Sequence, residues 1–575
     1  MKRFLPWVCR GLRPRAPLIF LAGTLALLSA CSEGGVSPGK ERAFRMAIGS
    51  EPPTLDWSLA TDGVSFDIVA NLMEGLTQYD ADLQPVPAVA RKWEFSEEGK
   101  VITFYLRDDV RWTDGKPVTA RDFEYSWKRL LSPATAAQYA YFLFDVENAY
   151  EYNSGKVKDW SAVGVKAISP TVLQVRLKRP VVYFPSIATF MVTFPQREDI
   201  IARYGDRWTD PGKIVTNGPF VLDEWKHEYK LVLKANKDYY GPQASVALEP
   251  NGSTRMAPGK RPEATPPRRK REAELSAAAR RPVKIDKAVM YIVREATTSL
   301  TLYETGELDM TALPPVAIPS YKNNPEYVHL PLLRGYYYGF NARKPPFDNA
   351  LVRRAFALAI DRSRIPEILQ GGEIPSASWI PKGMFGYNPA IGSRFDPEKA
   401  RAALAQAGYP GGKGLPPIMA VYNSDPNNRL IAEFIQDQWR KHLNVSVEFE
   451  SQEWKVFLDR LRVDPPQIFR LGWGADFPDP DNFMNLFTSA SGNNRAHWEN
   501  PEYDELVARA AAEPDPGKRR GLYDEAQVLL TETEVPIVPL FIHAQNRLVK
   551  PYVKGMQLNA MEILSLKSVE LETPQ

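Results

Sequence analysis

The sequence predicts α/β domains built on mixed sheets, because segments with helical apolar spacing alternate with β-branched and aromatic segments along its length. Size and composition agree. With 575 residues, 44% of them apolar and 11% aromatic, the chain can form several domains with substantial cores. That apolar content excludes disorder across the whole chain.

The elements follow in order. Phe44 to Ile48 alternates as a strand, and Asp67 to Leu76 has Ile68, Leu72, Met73 and Leu76 on one helical face. Lys100 to Arg107 reads as a strand, and Asp114-Gly115 as a turn. Thr119, with Asp122 three residues on, is placed to cap a helix that turns Phe123, Trp127 and Leu130 inward. Thr171 to Leu177, Lys230 to Lys234 and Ala288 to Val293 are further strands. Leu351 to Ile360 and Asp396 to Gly408 are helices, the second with Asp396 as cap, Pro397 at the first position and Gly408 as terminator. Leu430 to His442 is a third helix, while Val445 to Phe449 and Pro466 to Leu471 complete the strands. Residues 244–284 interrupt this pattern with six prolines and a net charge of +6, and read as a disordered, solvated surface loop.

Charge and the N-terminus bear on compartment. The formal net charge is +3, but residues 1–30 carry five basic side chains and no acid, which leaves −2 from Cys31 onward. A near-neutral, slightly acidic body argues against a nucleic-acid partner. The apolar stretch Ala16 to Leu28 is too short to span a bilayer comfortably and reads as the core of a secretory signal peptide over residues 1–30. It ends in Leu28-Ser29-Ala30-Cys31, which resembles a lipoprotein processing site. Cys31 would then be the acylated first residue of the mature chain, with residues 31–43 as its tether, and the lipid would be the only membrane anchor. Cys9 is the only other cysteine, so the mature chain is expected to hold no disulfide.

The motif inventory of an enzyme is absent. His227, His329, His442, His497 and His543 are scattered without metal-ligand spacing, and no HExxH, CxxC, GxSxG or phosphate-loop pattern occurs. Neither a metal nor a cofactor is expected. The positive signal is the run Arg91 to Arg129, within which F-x-L-R-x-x-V-x-W-x-D-G-x-P-x-T-A-x-D-F is matched from Phe104 to Phe123. Gly472-Trp473-Gly474-Ala475-Asp476-Phe477, with Asn482, Asn494, His497 and Trp498 after it, is the second block. Both resemble the large extracytoplasmic solute-binding proteins for peptides and nickel that serve ABC importers. Val215 to Phe220, Tyr336-Tyr337-Tyr338, Lys344 to Phe347 and Gln452 to Lys455 are similar to the family's oligopeptide binders.

The resemblance implies a two-lobed periplasmic-binding-protein fold of the second class, with mixed sheets and an extra inserted domain, three domains in all. Lobe I would comprise residues 44–75, 199–333 and 543–575, the extra domain residues 76–198, and lobe II residues 334–542. It further implies a monomer that holds short peptides in a closing cleft and delivers them to permease subunits on the extracytoplasmic side of a bacterial membrane. In this reading Asp476 pairs with the peptide's amine, and Arg470 and Lys344 receive carboxylates of shorter and longer ligands. Trp473 and Trp454 are pocket walls, and Asp62-Gly63-Val64 is a strand edge that pairs with the ligand backbone. Each has a bland alternative: Asp476 as a cap on backbone amides, Arg470 as a structural ion-pair partner, the tryptophans as core. Asn428 stands where relatives can have a carboxylate-binding histidine, which leaves preferred peptide length open, and Arg334 and Gly474 stand where a relative has a cysteine pair. Two other function classes remain at this stage. One is a binder of a non-peptide solute on the same fold, and the other a surface hydrolase or signalling receptor.

Overall fold

The computed structural model describes residues 42–241 and 283–572. The expected signal peptide, Cys31 and nearly all of the basic insertion lie outside the described residues. The described residues form one compact unit. No helix among the described residues is long and apolar enough to cross a membrane.

The architecture is mixed α/β, organised on an eleven-stranded sheet. One half contains Ala43–Ile48 between Met310–Ala312 and Lys287–Ile292, followed by Lys230–Ala235 and Phe220–Lys226 at the edge. The other half places Ile468–Gly474 beside Met419–Asn423, with Glu448–Gln452 at the opposite edge. Two long antiparallel strands, Tyr327–Phe340 and Ile537–Val549, join the halves. Their register is interrupted between Pro331 and Gly335, where Pro331 pairs with Ala544 and Gly335 with Ile542. The expected lobe boundaries at 333/334 and 542/543 fall inside these strands, at that irregularity.

Residues 90–176 build a separate antiparallel sheet in the order Ala90–Ser96, Val101–Leu106, Val172–Arg176, Val165–Ser169. The helix Ala120–Leu131 belongs to the same part of the chain. Its capping box forms as the sequence predicts, with both Thr119 N and Oγ1 donating to Asp122. Phe123, Trp127 and Leu130 are fully buried, and Trp127 Nε1 donates to the Thr193 carbonyl at 2.8 Å.

Several boundaries differ from the sequence reading, and three of the differences matter most. The first helix spans Gly63–Leu72 rather than starting at Asp67, because Asp62 is its N-cap and accepts from Ser65 N at 2.9 Å. Asp62-Gly63-Val64 is therefore a helix start and not the strand edge expected of it. The helix expected from Leu430 begins four residues earlier, at Pro426, because Asp425 accepts from Asn427 N and Asn428 N. The strand expected over Val445 to Phe449 pairs only as Glu448–Gln452, while Val445 and Val447 are buried ahead of it. Apolar alternation records burial, and pairing needs a neighbour strand as well.

Trp127 is a large side chain in a closed core with a satisfied indole N–H. Trp127→Ala should cost about 3–5 kcal/mol, read as a lower urea midpoint.

Candidate functional site

The strand Ile468–Gly474 organises the site. It pairs antiparallel with Arg334 to Phe340 over seven residues and runs parallel to Met419–Asn423, so the carboxyl ends of both strands open on the same side. In open α/β sheets that end is where ligands bind. Asn423 closes one of these strands, and the 18-residue helix Pro426–Leu443 starts just beyond it.

Arg470 sits in a frame of neutral groups. Its Nη1 donates to Asn423 Oδ1 at 3.0 Å, and its guanidinium carbon lies 4.2 Å from the centroid of the Tyr336 ring. Asn423 Oδ1 also accepts from Asn428 Nδ2 at 3.0 Å, and Tyr336 Oη donates to Asn428 Oδ1 at 3.0 Å. Asn428 is buried and spends its amide on this frame, so it orients Arg470 and carries no charge of its own. Arg470 makes no ion pair with any described residue, and its Nε is buried without a partner. His543 packs against Tyr336 and Phe541; burial, and then the cations Arg334 and Arg470, push its imidazole down to about 3, which keeps it neutral.

Asp476 lies two residues beyond the same strand. Ala475 N anchors the turn by donating to the Leu333 carbonyl at 2.8 Å, and Asp476 N donates to Asn482 Oδ1 at 3.0 Å. The Asp476 carboxylate caps no backbone amide. Its Oδ2 accepts from Tyr141 Oη at 3.0 Å and, at 3.4 Å, from Asn482 Nδ2, and no described cation pairs with it. Burial pushes its pKa up to about 6, with those two hydrogen bonds opposing. Trp473 is half-buried beside it, and its Nε1 donates to Asn482 Oδ1 at 2.9 Å. Asp476 and Trp473 together line a cavity of about 140 Å³.

The other residues singled out by sequence are more dispersed. Trp454 opens the helix Trp454–Val463 and is 48% exposed, so it is not core. Lys344 follows the Tyr327–Phe340 strand past Phe340, which pairs with Ile468; this places it toward the opposite end of the site strand from Asp476, and its Nζ is held by Asp464 at 2.6 Å. The Asp62 carboxylate is committed to its helix cap and to Ser65 Oγ at 2.6 Å. Arg334 and Gly474 are direct cross-strand partners, and Arg334 turns to Glu562 at 3.0 Å. A larger cavity of about 250 Å³ lies between residues 70–83 and 556–567, but its Glu74 and Lys567 pair with each other at 3.3 Å. Sequence reasoning missed Tyr141 and Asn423. Tyr141 stands 335 residues from Asp476, and no spacing rule relates them.

Residues 84–495 match the model of the bacterial extracellular solute-binding proteins, family 5, middle region. The chain belongs to this family. Among family relatives, the oligopeptide-binding protein OppA of Bacillus subtilis is 32% identical over 554 residues, covering 92% of this chain and 94% of the relative. YgiS of Escherichia coli, described as a probable deoxycholate-binding periplasmic protein, is 31% identical over 553 residues, covering 94% of this chain and 96% of the relative. Among solved structures, the unliganded open form of the periplasmic murein tripeptide binding protein MppA superposes with a TM-score of 0.75 at 28% identity, covering 92% of this chain and 98% of that one. This family-5 fold is thus the two-lobed binding fold that the sequence resembled.

Asp476 is an acid whose folded-state pKa is raised above the ordinary 3.8, so ionising it destabilises the unliganded fold as pH rises from about 4 through 6. Asp476→Asn removes that penalty. In thermal melts of ligand-free protein, the variant should gain stability over the wild type at pH 8, and the gain should shrink towards pH 4.

Proposed function

We propose that this family-5 protein is the solute-binding component of an ABC importer, capturing short peptides between two lobes and delivering them to the permease. The observation that carries this reading is a pair of charges without ion-pair partners, the Arg470 guanidinium on the site strand and the Asp476 carboxylate just past its end, six residues apart. An extended run of six residues spans roughly 20 Å at most, which brackets a peptide of a few residues. The ammonium of the ligand meets Asp476, and its carboxylate meets the Arg470 fork held by Asn423 and Tyr336. The chain is a binding protein by family, and its relatives include an oligopeptide binder.

In this reading residues 44–75, 199–333 and 543–575 form one lobe and residues 334–542 the other, hinged at the two strands that join them, with residues 76–198 as the inserted domain. Trp454 and Trp473 wall the cleft, and Lys344 takes the carboxylate of longer ligands. The body works as a monomer on the extracytoplasmic side of the membrane, held there by lipid on Cys31. Asp62-Gly63-Val64, now the start of a helix, no longer serves as a strand for the ligand backbone.

A second reading, a non-peptide solute, is favoured by one observation, the similarity to YgiS. A bile acid has a carboxylate but no amine and would use Arg470 without Asp476. Native mass spectrometry of co-purifying ligands separates the two: a mixture of short peptides supports the first reading, and a single non-peptide mass overturns it. Asp476→Asn, or N-acetylation of the peptide, should weaken peptide binding by at least thirtyfold, as expected from losing about 2 kcal/mol or more at a desolvated charge pair. Binding needs ionised Asp476, so peptide affinity in calorimetry should hold from pH 8 to 7 and fall as pH drops through about 6. In Asp476→Asn that dependence should flatten.

A further inference from the structure

The irregular stretch of the two long strands is spanned by a segment that the ligand contacts do not use. Between Pro331, paired with Ala544, and Gly335, paired with Ile542, three residues of one strand lie opposite His543 alone. Leu333 is buried there, and its N–H needs an acceptor that the partner strand does not supply. The acceptor comes from outside the sheet: Leu333 N donates to the Ala560 carbonyl at 2.8 Å. Beside it, Gln545 Nε2 of the second strand donates to the Asn559 carbonyl at 2.8 Å. Glu562 then faces a cation from each strand, Arg334 Nη2 at 3.0 Å and Arg547 Nη2 at 3.9 Å. One short segment thus holds both strands where their own ladder is broken.

The segment is itself firmly fixed. Asn559 folds its turn, with Oδ1 accepting from Met561 N and Ile563 N and Nδ2 donating to the Ile563 carbonyl at 2.7 Å. Within that turn Glu562 has a φ of +56°, a left-handed conformation that a glutamate rarely adopts unless its surroundings impose it. Past the turn, Leu564 N donates to Asp67 Oδ1 at 3.1 Å, while Asn71 donates to the Leu564 carbonyl and accepts from Leu566 N, both at 2.8 Å. The segment is therefore fastened to the helix Gly63–Leu72, and its grip on Arg334 reaches across the joint. Arg334 is the cross-strand partner of Gly474, and a Cβ at Gly474 would stand 3.3 Å from Arg334 Nε. The Leu333 carbonyl accepts from Ala475 N. Both residues held by the segment thus touch the turn that leads into Asp476.

We propose that residues 559–566 form a clasp across the hinge, with Glu562 as its positioning residue: through Arg334 it limits how far the lobes open and keeps the Asp476 turn in place for the ligand. The proposal rests on the two-lobed reading with its hinge at the joined strands. The backbone bond at Leu333 is the pivot. The ion pair is the part that yields, since its side chains are 50% exposed for Arg334 and 30% for Glu562, and water replaces such a pair at small cost. A restraint of that strength biases opening without locking it.

The test combines small-angle X-ray scattering of protein stripped of ligand with surface plasmon resonance of trialanine and pentaalanine on the immobilised chain. Glu562→Gln should enlarge the radius of gyration and speed peptide release at least threefold, with association unchanged within twofold. Arg334→Gln should do the same, whereas Arg334→Lys, which keeps a cation for Glu562, should stay close to wild type. The double variant Glu562→Gln/Arg334→Gln should be no worse than either single one, because all three lose the same contact. A purely structural role would lower the melting temperature without separating lysine from glutamine at position 334 or release from association. An unchanged radius of gyration in Glu562→Gln overturns the clasp whatever the peptides do, and so does an Arg334→Lys variant as impaired as Arg334→Gln. If the radius grows and neither peptide binds the wild type, the clasp stands and the short-peptide reading is the one that fails.

Discussion

The structure depends on the pairing of two long strands, Tyr327–Phe340 and Ile537–Val549, which run through both halves of the main sheet. The other strands of the main sheet are placed outward from them. The site strand Ile468–Gly474 hangs on the second half of Tyr327–Phe340, and Met310–Ala312 attaches the first half of the sheet to Ile537–Val549. Because backbone hydrogen bonds are obligatory once buried, a continuous ladder resists sliding. The pairing is irregular at two places in the middle of the joint, between Pro331 and Gly335 and again between Tyr336 and Tyr337. A strand pair that is firm at both ends and irregular in the middle allows bending without loss of register, as a binding fold that opens and closes requires.

Electrostatics divides the charged groups into two kinds. Arg519 and Asp479, both buried, make a two-bond pair at 2.7 and 2.8 Å, and Arg353 is held by Glu534 and two backbone carbonyls. Such groups are satisfied and hold the fold in place. Asp476 and Arg470 differ in having only neutral partners, a tyrosine and an asparagine for the one, an asparagine and an aromatic face for the other. Neutral partners orient a charge without cancelling it. The low dielectric that makes these charges costly in the free protein would strengthen their contact with a zwitterionic ligand, as the proposed function requires.

Much of the fold was legible because local chemistry and tertiary packing agree. The Thr119 capping box and the Asp396-Pro397 helix start are strong short-range signals, and both form. Where the reading slipped, a longer-range term or a neglected cap decided. The family resemblance places Asp62 on a strand edge, yet it is a helix cap, since a single acid followed by Gly-Val-Ser serves either conformation until the rest of the helix is docked. Val445 and Val447 alternate as a strand does, yet pairing begins only at Glu448, where Met419 supplies a partner.

The sequence alone determined the family, through the block from Phe104 to Phe123 and the one from Gly472 to Phe477, and with it the mixed α/β class; it also offered Asp476 and Arg470 as candidates. Linear order carries these because they lie on short continuous segments. Only the tertiary structure decided that Tyr141 reaches Asp476, that Asn423 and Tyr336 frame Arg470, and that Lys344 is held by Asp464. These are contacts between segments up to 335 residues apart, brought together by sheet pairing and core packing, and no periodicity or spacing encodes them.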